Sequence, residues 1–345
     1  MCFFWRLKYE QITAMVNPVI AEVTRGARVE SIHRGTVAVV DASGKIILAR
    51  GDVEGMTFPR SSLKILQALP LVESGAADAL GFTNKHLAVA CASHSSSAVH
   101  VNVVGDMLSR AGLGPTDLQC GAHWPVFSTA DAVAMAQNGE TPTRIHNNCS
   151  GKHAGFLCTC TYAGISTNNY IDPSNELQRE VRAMIGDLCG AVIGEDACGA
   201  DGCSAPTFAV PIVGMAHAHA RLATGLGLSA QRADAAKRLL SASMREPQMI
   251  ADHGRYCTRL MQAAPERLYA KTGAEGFYAA ALPQLGLGIA VKCDDGATRA
   301  AEVTVAATLA HLIGQSDPAY EAIRAMSRQN VRDWNKNVVG EVRAV

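Results

Sequence analysis

Phe58-Pro59-Arg60-Ser61-Ser62-Leu63-Lys64 sets a serine and a lysine three positions apart just after a proline. On a helix, positions i and i+3 share a face, so the Ser61 hydroxyl and the Lys64 amine can meet. A lysine held there and partly withdrawn from water releases its proton more easily and can take one from the serine. Ser61 then becomes a nucleophile without help from a histidine. Pro59 precedes the predicted helix, which runs from Ser61 to about Ser74, and Pro70 breaks or kinks it. Lys64 then falls in the first turn, where the helix dipole favours an anion at Ser61 and disfavours a charged lysine. Ser62 points about 100° away at this pitch and is read as structural. On this segment alone, an N-cap serine followed by an exposed lysine is the better reading.

Two later motifs change that balance. Ser93-His94-Ser95 follows the apolar run Leu87 to Ala90, read as a strand, and Lys271-Thr272-Gly273 ends another predicted strand. A strand-borne lysine facing the Ser61–Lys64 helix would bring a second cation to the nucleophile. The order S-x-x-K, second serine, K-T-G is the active-site layout of penicillin-recognising enzymes and serine β-lactamases. Ser95 stands where those enzymes carry asparagine, which opposes a β-lactam substrate. Ser93 also has a plain reading, as a turn residue or a cap for the helix near Ser96.

The rest of the chain supplies an architecture. Val19 to Val23, Arg28 to His33, Thr36 to Val40 and Lys45 to Ala49 read as strands, with a hairpin turn at Asp41-Ala42-Ser43-Gly44. Residues 97–111, 129–138, 151–163, 174–190, 212–224, 230–245 and 255–264 read as helices, Asp172-Pro173 marking the start of the fourth. Strands return at Arg267 to Lys271, Gly276 to Ala281 and Leu285 to Lys292, and Ala300 to Ile313 is a long apolar helix. A short N-terminal sheet cannot bury its own face. The C-terminal strands complete it, and residues of about 61–265 form a mainly helical insert between sheet segments of about 17–60 and 266–314. The expectation is an α/β fold of the serine β-lactamase and penicillin-binding type, with an antiparallel sheet, flanking helices and a cleft against the insert. Residues 15–345 form one catalytic domain in this reading, residues 1–14 an extension, and Met15 a candidate natural start.

Composition narrows the function classes. The 345 residues are 48% hydrophobic and 18% charged, with formal net charge +0, as suits a globular enzyme with a large core. Balanced charge gives no case for nucleic acid or anionic membrane. No apolar run reaches the roughly 18–20 residues of a membrane span, and no signal peptide is legible, so the cytoplasm is expected. Eleven cysteines are then reduced thiols, with Cys91, Cys257 and Cys293 behaving as small buried hydrophobes. Cys149 and Cys203 differ, because each lies in a glycine-rich polar loop: Asn147-Asn148-Cys149-Ser150-Gly151-Lys152-His153 and Gly199-Ala200-Asp201-Gly202-Cys203-Ser204-Ala205-Pro206. Spacing alone leaves a Cys149–Cys203 metal site as one option, with His153 as a further donor, and excludes a zinc finger. His217 and His219, two apart on a predicted helix, face different sides and are read as structural.

These segments resemble the rhizobial-type, or class 3, L-asparaginases. The resemblance is carried by Thr24-Arg25-Gly26, Phe58 to Lys64 with Gln67, Cys91-Ala92-Ser93-His94, Asn148 to Gly155, Asp201 to Pro206 and Ala270 to Gly276. It extends from about Pro18 to the tail at Val339-Gly340-Glu341-Val342-Arg343. It implies the β-lactamase-like fold already inferred, a homodimer, and two Ser–Lys tandems, Ser61 with Lys64 and Ser93 with Lys271. It further implies one Zn2+ per subunit on Cys149, Lys152 and Cys203, with Arg60, His153 and Asp201 contacting the substrate. The activity implied is hydrolysis of L-asparagine to L-aspartate and ammonia; an acyl-enzyme is expected, with Ser61 favoured over Ser93 as its carrier for its place at the start of the predicted helix. The alternatives are a glutaminase or another serine acylase on the same fold, and a non-catalytic zinc protein, which would leave both tandems without purpose.

Overall fold

The computed structural model describes residues 16–345; the extension 1–14 and the candidate start at Met15 lie outside the described residues. Eight strands form one antiparallel sheet: β1 (Val19–Arg25), β2 (Arg28–Asp41), β3 (Ile46–Arg50), β4 (Tyr269–Thr272), β5 (Phe277–Leu282), β6 (Leu287–Cys293), β7 (Arg328–Arg332) and β8 (Val338–Ala344). Their order across the sheet is β7-β8-β1-β2-β6-β5-β4, with β3 pairing with β2 beside this path. First and last parts of the chain thus close on one another, Glu22 opposite Arg343 and Val39 opposite Ile289.

β2 shows why both faces are covered. Its apolar run Val37-Ala38-Val39-Val40 is buried without alternation, whereas Arg28–Ile32 is mostly exposed. A strand apolar on both sides needs a layer above and below. The helix Ile212–Thr224 supplies one layer, so closely that a Cβ on Gly288 would lie 1.9 Å from Ala216 O. The helix Thr298–Ile313 covers the other face, Thr304 Oγ1 donating to Ile20 O at 3.1 Å. The insert is built around Ser150–Ala163, whose residues from Ser150 to Cys160 are all buried. Over that stretch the helix is buried on every side, and its polar groups Lys152 and His153 turn into the site.

The helices predicted at 97–111, 129–138, 151–163, 212–224, 230–245 and 255–264 form within one or two residues of those bounds. Several expectations are corrected. Arg28–His33 and Thr36–Val40 are one strand: Gly35 is no turn but a close approach, where a Cβ would lie 2.2 Å from Lys292 O. Leu87 to Ala90 belongs to a helix, Asn84–Ala90, held by a capping box of Thr83 and His86. The fourth predicted helix starts at Glu176 under an Asn175 cap, while Asp172 accepts from Ser174 N in the turn before it. Instead of one helix over 61–74 there is a 3-10 turn, Arg60–Leu63, followed by Lys64–Gln67 and Leu69–Glu73. Lys64 therefore starts a single α turn, too short for the dipole argument. The tail strands β7 and β8 went unread in the sequence. Among the described residues, no helix is long and apolar enough to cross a membrane.

Candidate active site

The Ser61 turn is fixed from both sides. Ser62, the structural serine of the sequence reading, is fully buried and donates to Lys271 O at 2.9 Å, pinning the turn to β4. Gly273 allows this approach, since a Cβ there would lie 2.1 Å from Pro59 O. Its neighbour Lys271 points inward, fully buried, with Nζ 2.9 Å from Ser93 Oγ and 2.8 Å from Thr272 O. Lys64 Nζ donates to the same Ser93 hydroxyl at 3.0 Å, to Ala92 O at 2.5 Å, and lies 3.1 Å from Cys149 Sγ.

The predicted tandems are thus rearranged. Lys64 and Lys271 both converge on Ser93, and Ser61 Oγ has no hydrogen-bond partner among the described residues. The Ser61 side chain is half-buried, whereas Ser93 is buried. Burial first, and then the charge of Lys64, lower the Lys271 pKa from 10.5 to about 7. Lys271 can therefore exchange a proton with Ser93 at neutral pH.

Ser93 is held in place by its backbone. Its N–H donates to Ile250 O at 2.9 Å, and its carbonyl accepts from Arg255 Nη1 at 2.5 Å. The guanidinium also stacks 3.7 Å over the Phe127 ring. Ser95 Oγ donates to Ala251 O, so the asparagine position of the penicillin-recognising enzymes is here a structural clamp. His94 accepts from Ser96 N at Nδ1 and donates from Nε2 to Ser150 Oγ, which in turn donates to Ile145 O. Both nitrogens are engaged and burial pushes the His94 pKa well down, so the ring stays a neutral strut.

The other implied residues gather on the far side of Lys64. Cys149, Lys152 and Cys203 are all buried, Lys152 Nζ lies 3.0 Å from Cys203 Sγ, and the two thiols are in hydrogen-bonding contact. Gly151 allows this packing: a Cβ there would lie 2.1 Å from Val89 O. Contact with Cys149, set against the cost of burial and aided by Lys152, lowers the Cys203 pKa, while the same contact raises that of Cys149. Burial disfavours charge on Lys152, but Cys203, Cys149 and Asp201 outweigh it and raise its pKa. Two sulfurs and an amine converging in a buried pocket are a donor set that suits Zn2+. His153 is fully buried; its Nδ1 accepts from Tyr170 OH at 2.7 Å, because that oxygen already accepts from Gln119 N. Its Nε2 has no hydrogen-bond partner and neighbours Cys203. Arg60 forks onto Asp201 Oδ1 at 2.9 and 2.6 Å, and the carboxyl, opposed by burial but held by Lys152 and Arg60, sits below its usual pKa. Arg60 also borders a surface cleft with Phe58, Gly199, Thr207, Glu275 and Lys292.

Strain marks the same loops. Among the described residues seven non-glycine residues have positive φ, and five of them, Arg60, Ser96, Ser204, Asp252 and Glu275, adjoin these motifs. Asp252, at φ +81° and ψ 172°, occupies a region that is essentially glycine's own, in the turn that carries Arg255. The sequence reading passed over Arg255, Tyr170 and Asp252; an aspartate before His253-Gly254 is the faint signal of that turn.

Three solved structures are similar to this chain at low identity. They are a candidate beta-lactamase of Bacteroides dorei DSM 17855 (11% identity, 75% of this chain and 84% of that one, TM-score 0.41), Mglu in its native form (15%, 82% and 66%, 0.42), and a beta-lactamase of Mycobacterium bovis (12%, 81% and 94%, 0.35). No curated protein matches the sequence. The sequence profile of L-asparaginase II matches residues 21–344, from the first strand of the sheet to the last. The chain belongs to the L-asparaginase II family.

Proposed function

We propose that this amidohydrolase converts L-asparagine and water to L-aspartate and ammonia through an acyl-enzyme on Ser61. The observation that carries the reading is the shared hydroxyl of Ser93, with Lys64 at 3.0 Å and Lys271 at 2.9 Å. Ser61 is the open hydroxyl at the head of this chain. Attack on the side-chain amide carbon passes the Ser61 proton into the Ser93 hydroxyl, whose own proton is taken up by neutral Lys271; Ser93, reloaded from Lys271, then hands a proton to the departing ammonia. The same path run backwards activates the water that releases aspartate. Backbone N–H groups of the Ser61 turn are the candidate oxyanion donors. Arg60 and Asp201 present a cation and an anion side by side, which complements the carboxylate and ammonium of a free amino acid.

Cys149, Lys152 and Cys203 are the residues that would hold Zn2+. Its two thiolates and amine make it a weak Lewis acid, suited to orienting a substrate polar group rather than generating hydroxide. His153, kept in one tautomer by Tyr170, directs Nε2–H towards the same region. We further propose a homodimer, which size-exclusion chromatography with light scattering tests.

The deciding assay is ammonia release from L-asparagine and, in parallel, L-glutamine, for wild type, Ser61→Ala and Ser93→Ala. Release from asparagine, lost in both variants, is expected, with a covalent acyl adduct on Ser61 trapped by acid quench of the wild type during turnover. Turnover by Ser61→Ala would overturn the nucleophile assignment. Release from glutamine but not asparagine would keep the chemistry and replace the substrate.

A further inference from the structure

A second cluster of metal-ligating groups lies outside this machinery. His33 Nδ1 lies 2.6 Å from Asp295 Oδ2, and Cys293 Sγ lies 2.9 Å from Asp295 Oδ1. One ligand atom from each of the three residues falls within 4.8 Å of the other two. Nothing in the amide hydrolysis uses them. We propose that His33, Cys293 and Asp295 form a second metal site, taking a borderline divalent cation of the zinc type.

The donor chemistry selects the ion. One imidazole, one thiolate and one carboxylate form a mixed N/S/O set that suits Zn2+ or Co2+ and is too soft for Mg2+ or Ca2+. The scaffold holds the donors in place before any ion arrives. His33 belongs to β2 and Cys293 ends β6, with its N–H bonded to Gly276 O at 2.9 Å. Asp295 is fixed by the bond from Ala297 N to Oδ1 at 3.0 Å. Preorganisation of this kind spares the ordering cost of assembling a site.

Access and charge point the same way. His33 and Cys293 are buried while the Asp295 side chain is 51% exposed, so the cluster opens to solvent on one side only. An ion can enter there and complete its shell with water. Among the described residues, no lysine or arginine hydrogen-bonds the Asp295 carboxylate, and the neighbouring carboxylate of Asp294 is bound only by the neutral amide of Asn17. The Asp295 carboxylate thus meets His33, Cys293 and backbone N–H, but no permanent cation. Binding exchanges the Cys293 thiol proton for the ion, while the His33 proton moves from Nδ1 to Nε2. That tautomer change breaks no bond on the far side of the ring, because Nε2 is buried without a partner. The bound ion would clamp β2 to the turn after β6, directly behind Gly276, where a Cβ would lie 2.8 Å from Cys293 Cβ.

Metal counting on the full chain, stripped by chelator and reloaded with Co2+, tests this. Wild type is expected to hold two ions, Cys149→Ser/Cys203→Ser one, and that variant with Cys293→Ser added none. The ion left in Cys149→Ser/Cys203→Ser should show a thiolate-to-cobalt charge-transfer band that disappears with Cys293→Ser. His33→Gln and Asp295→Asn, made separately on the same background, should also lose the ion, and circular dichroism verifies that each has folded. An ion and band that survive Cys293→Ser, or a Cys149→Ser/Cys203→Ser protein that binds nothing, would overturn the proposal. The two metal sites fail separately. A single ion lost with Cys293→Ser but not with Cys203→Ser would sink the active-site zinc and leave this site standing.

Discussion

Replacing Lys271 with methionine should destroy activity and yet stabilise the fold at neutral pH. The side chain is fully buried, and the drop of its pKa from 10.5 to about 7 measures how strongly the site resists its charge. At about 1.4 kcal/mol per pH unit that resistance amounts to roughly 5 kcal/mol, of which about 4 kcal/mol still opposes folding at pH 7. Methionine fills much the same volume without the penalty. It also removes the donor to Thr272 O, which costs about 1–3 kcal/mol. The variant should therefore gain about 1–3 kcal/mol at pH 7. The sign follows from linkage: between the folded value near 7 and the unfolded value of 10.5, the unfolded chain holds a proton that the native protein lacks. Wild-type stability must then rise with pH through that window relative to the variant, by about 1.4 kcal/mol per unit, and the penalty vanishes above it. The two stability curves cross, with methionine ahead at pH 7 and lysine ahead by pH 10. Urea unfolding followed by circular dichroism at pH 6.5, 8 and 9.5 measures this. A stability difference that does not change with pH would refute the idea that Lys271 is held near neutrality by burial and Lys64.

Arg255→Gln removes both the clamp on Ser93 O and a charge that helps to depress the Lys271 pKa. Its acid limb in kcat/KM should move up by roughly half a pH unit, while Arg255→Lys keeps the wild-type limb; identical profiles for all three proteins would remove Arg255 from the argument. Gly151→Ala drives a Cβ to 2.1 Å from the Val89 carbonyl, backbone against backbone, and should cost about 3 kcal/mol by thermal unfolding, with no loss if the two helices can slide apart. Asp252→Gly relieves a conformation suited to glycine and should hold stability level or gain up to about 2 kcal/mol. Asp252→Ala keeps that strain, drops the bond to His253 N, and should lose about 1 kcal/mol; equal effects of the two would mean that no strain is stored there.

What the sequence disclosed depended on whether the deciding force was local. Helices such as Ser150–Ala163 and Ile212–Thr224 carry their own punctuation, ending in left-handed glycines Gly164 and Gly225, and were legible to within a residue or two. Asn84–Ala90 was misread because Leu87 to Ala90 is apolar, short and β-compatible. The signal that makes it a helix is the Thr83–His86 capping box, which lies before the run. β7 and β8 went unread for another reason. Gln329, Val331 and Val342 mean little as a local pattern: β8 becomes a strand by pairing with β1, some 300 residues away, as in Val23 opposite Val342, and β7 follows by pairing with β8.

The site divides along the same line. The serines and lysines announced themselves by type and order, but sequence spacing favoured Ser61 with Lys64, whereas the fold turns Lys64 towards Ser93. An i, i+3 spacing says which residues share a helical face, and the Arg60–Leu63 segment gives that face only a single 3-10 turn before Lys64 begins a new one. What redirects the lysine is non-local: the carbonyl of Ala92 and the thiol of Cys149 lie on the far side, and both draw the ammonium away from its own turn. Arg60, Ser96, Ser204, Asp252 and Glu275 follow the same logic. Each is a residue of ordinary type held in a left-handed conformation because a neighbouring motif must face inward. A strained backbone of this kind persists only where surrounding contacts over-determine it. Here those contacts are Ser62 on Lys271 O, Arg60 on Asp201, and Ile250 and Arg255 on Ser93. The buried Lys271 and the strained turns work against stability. They are tolerated because the sheet closes with both of its faces covered, and so the site can be built from groups that a less firmly closed fold would not hold in place.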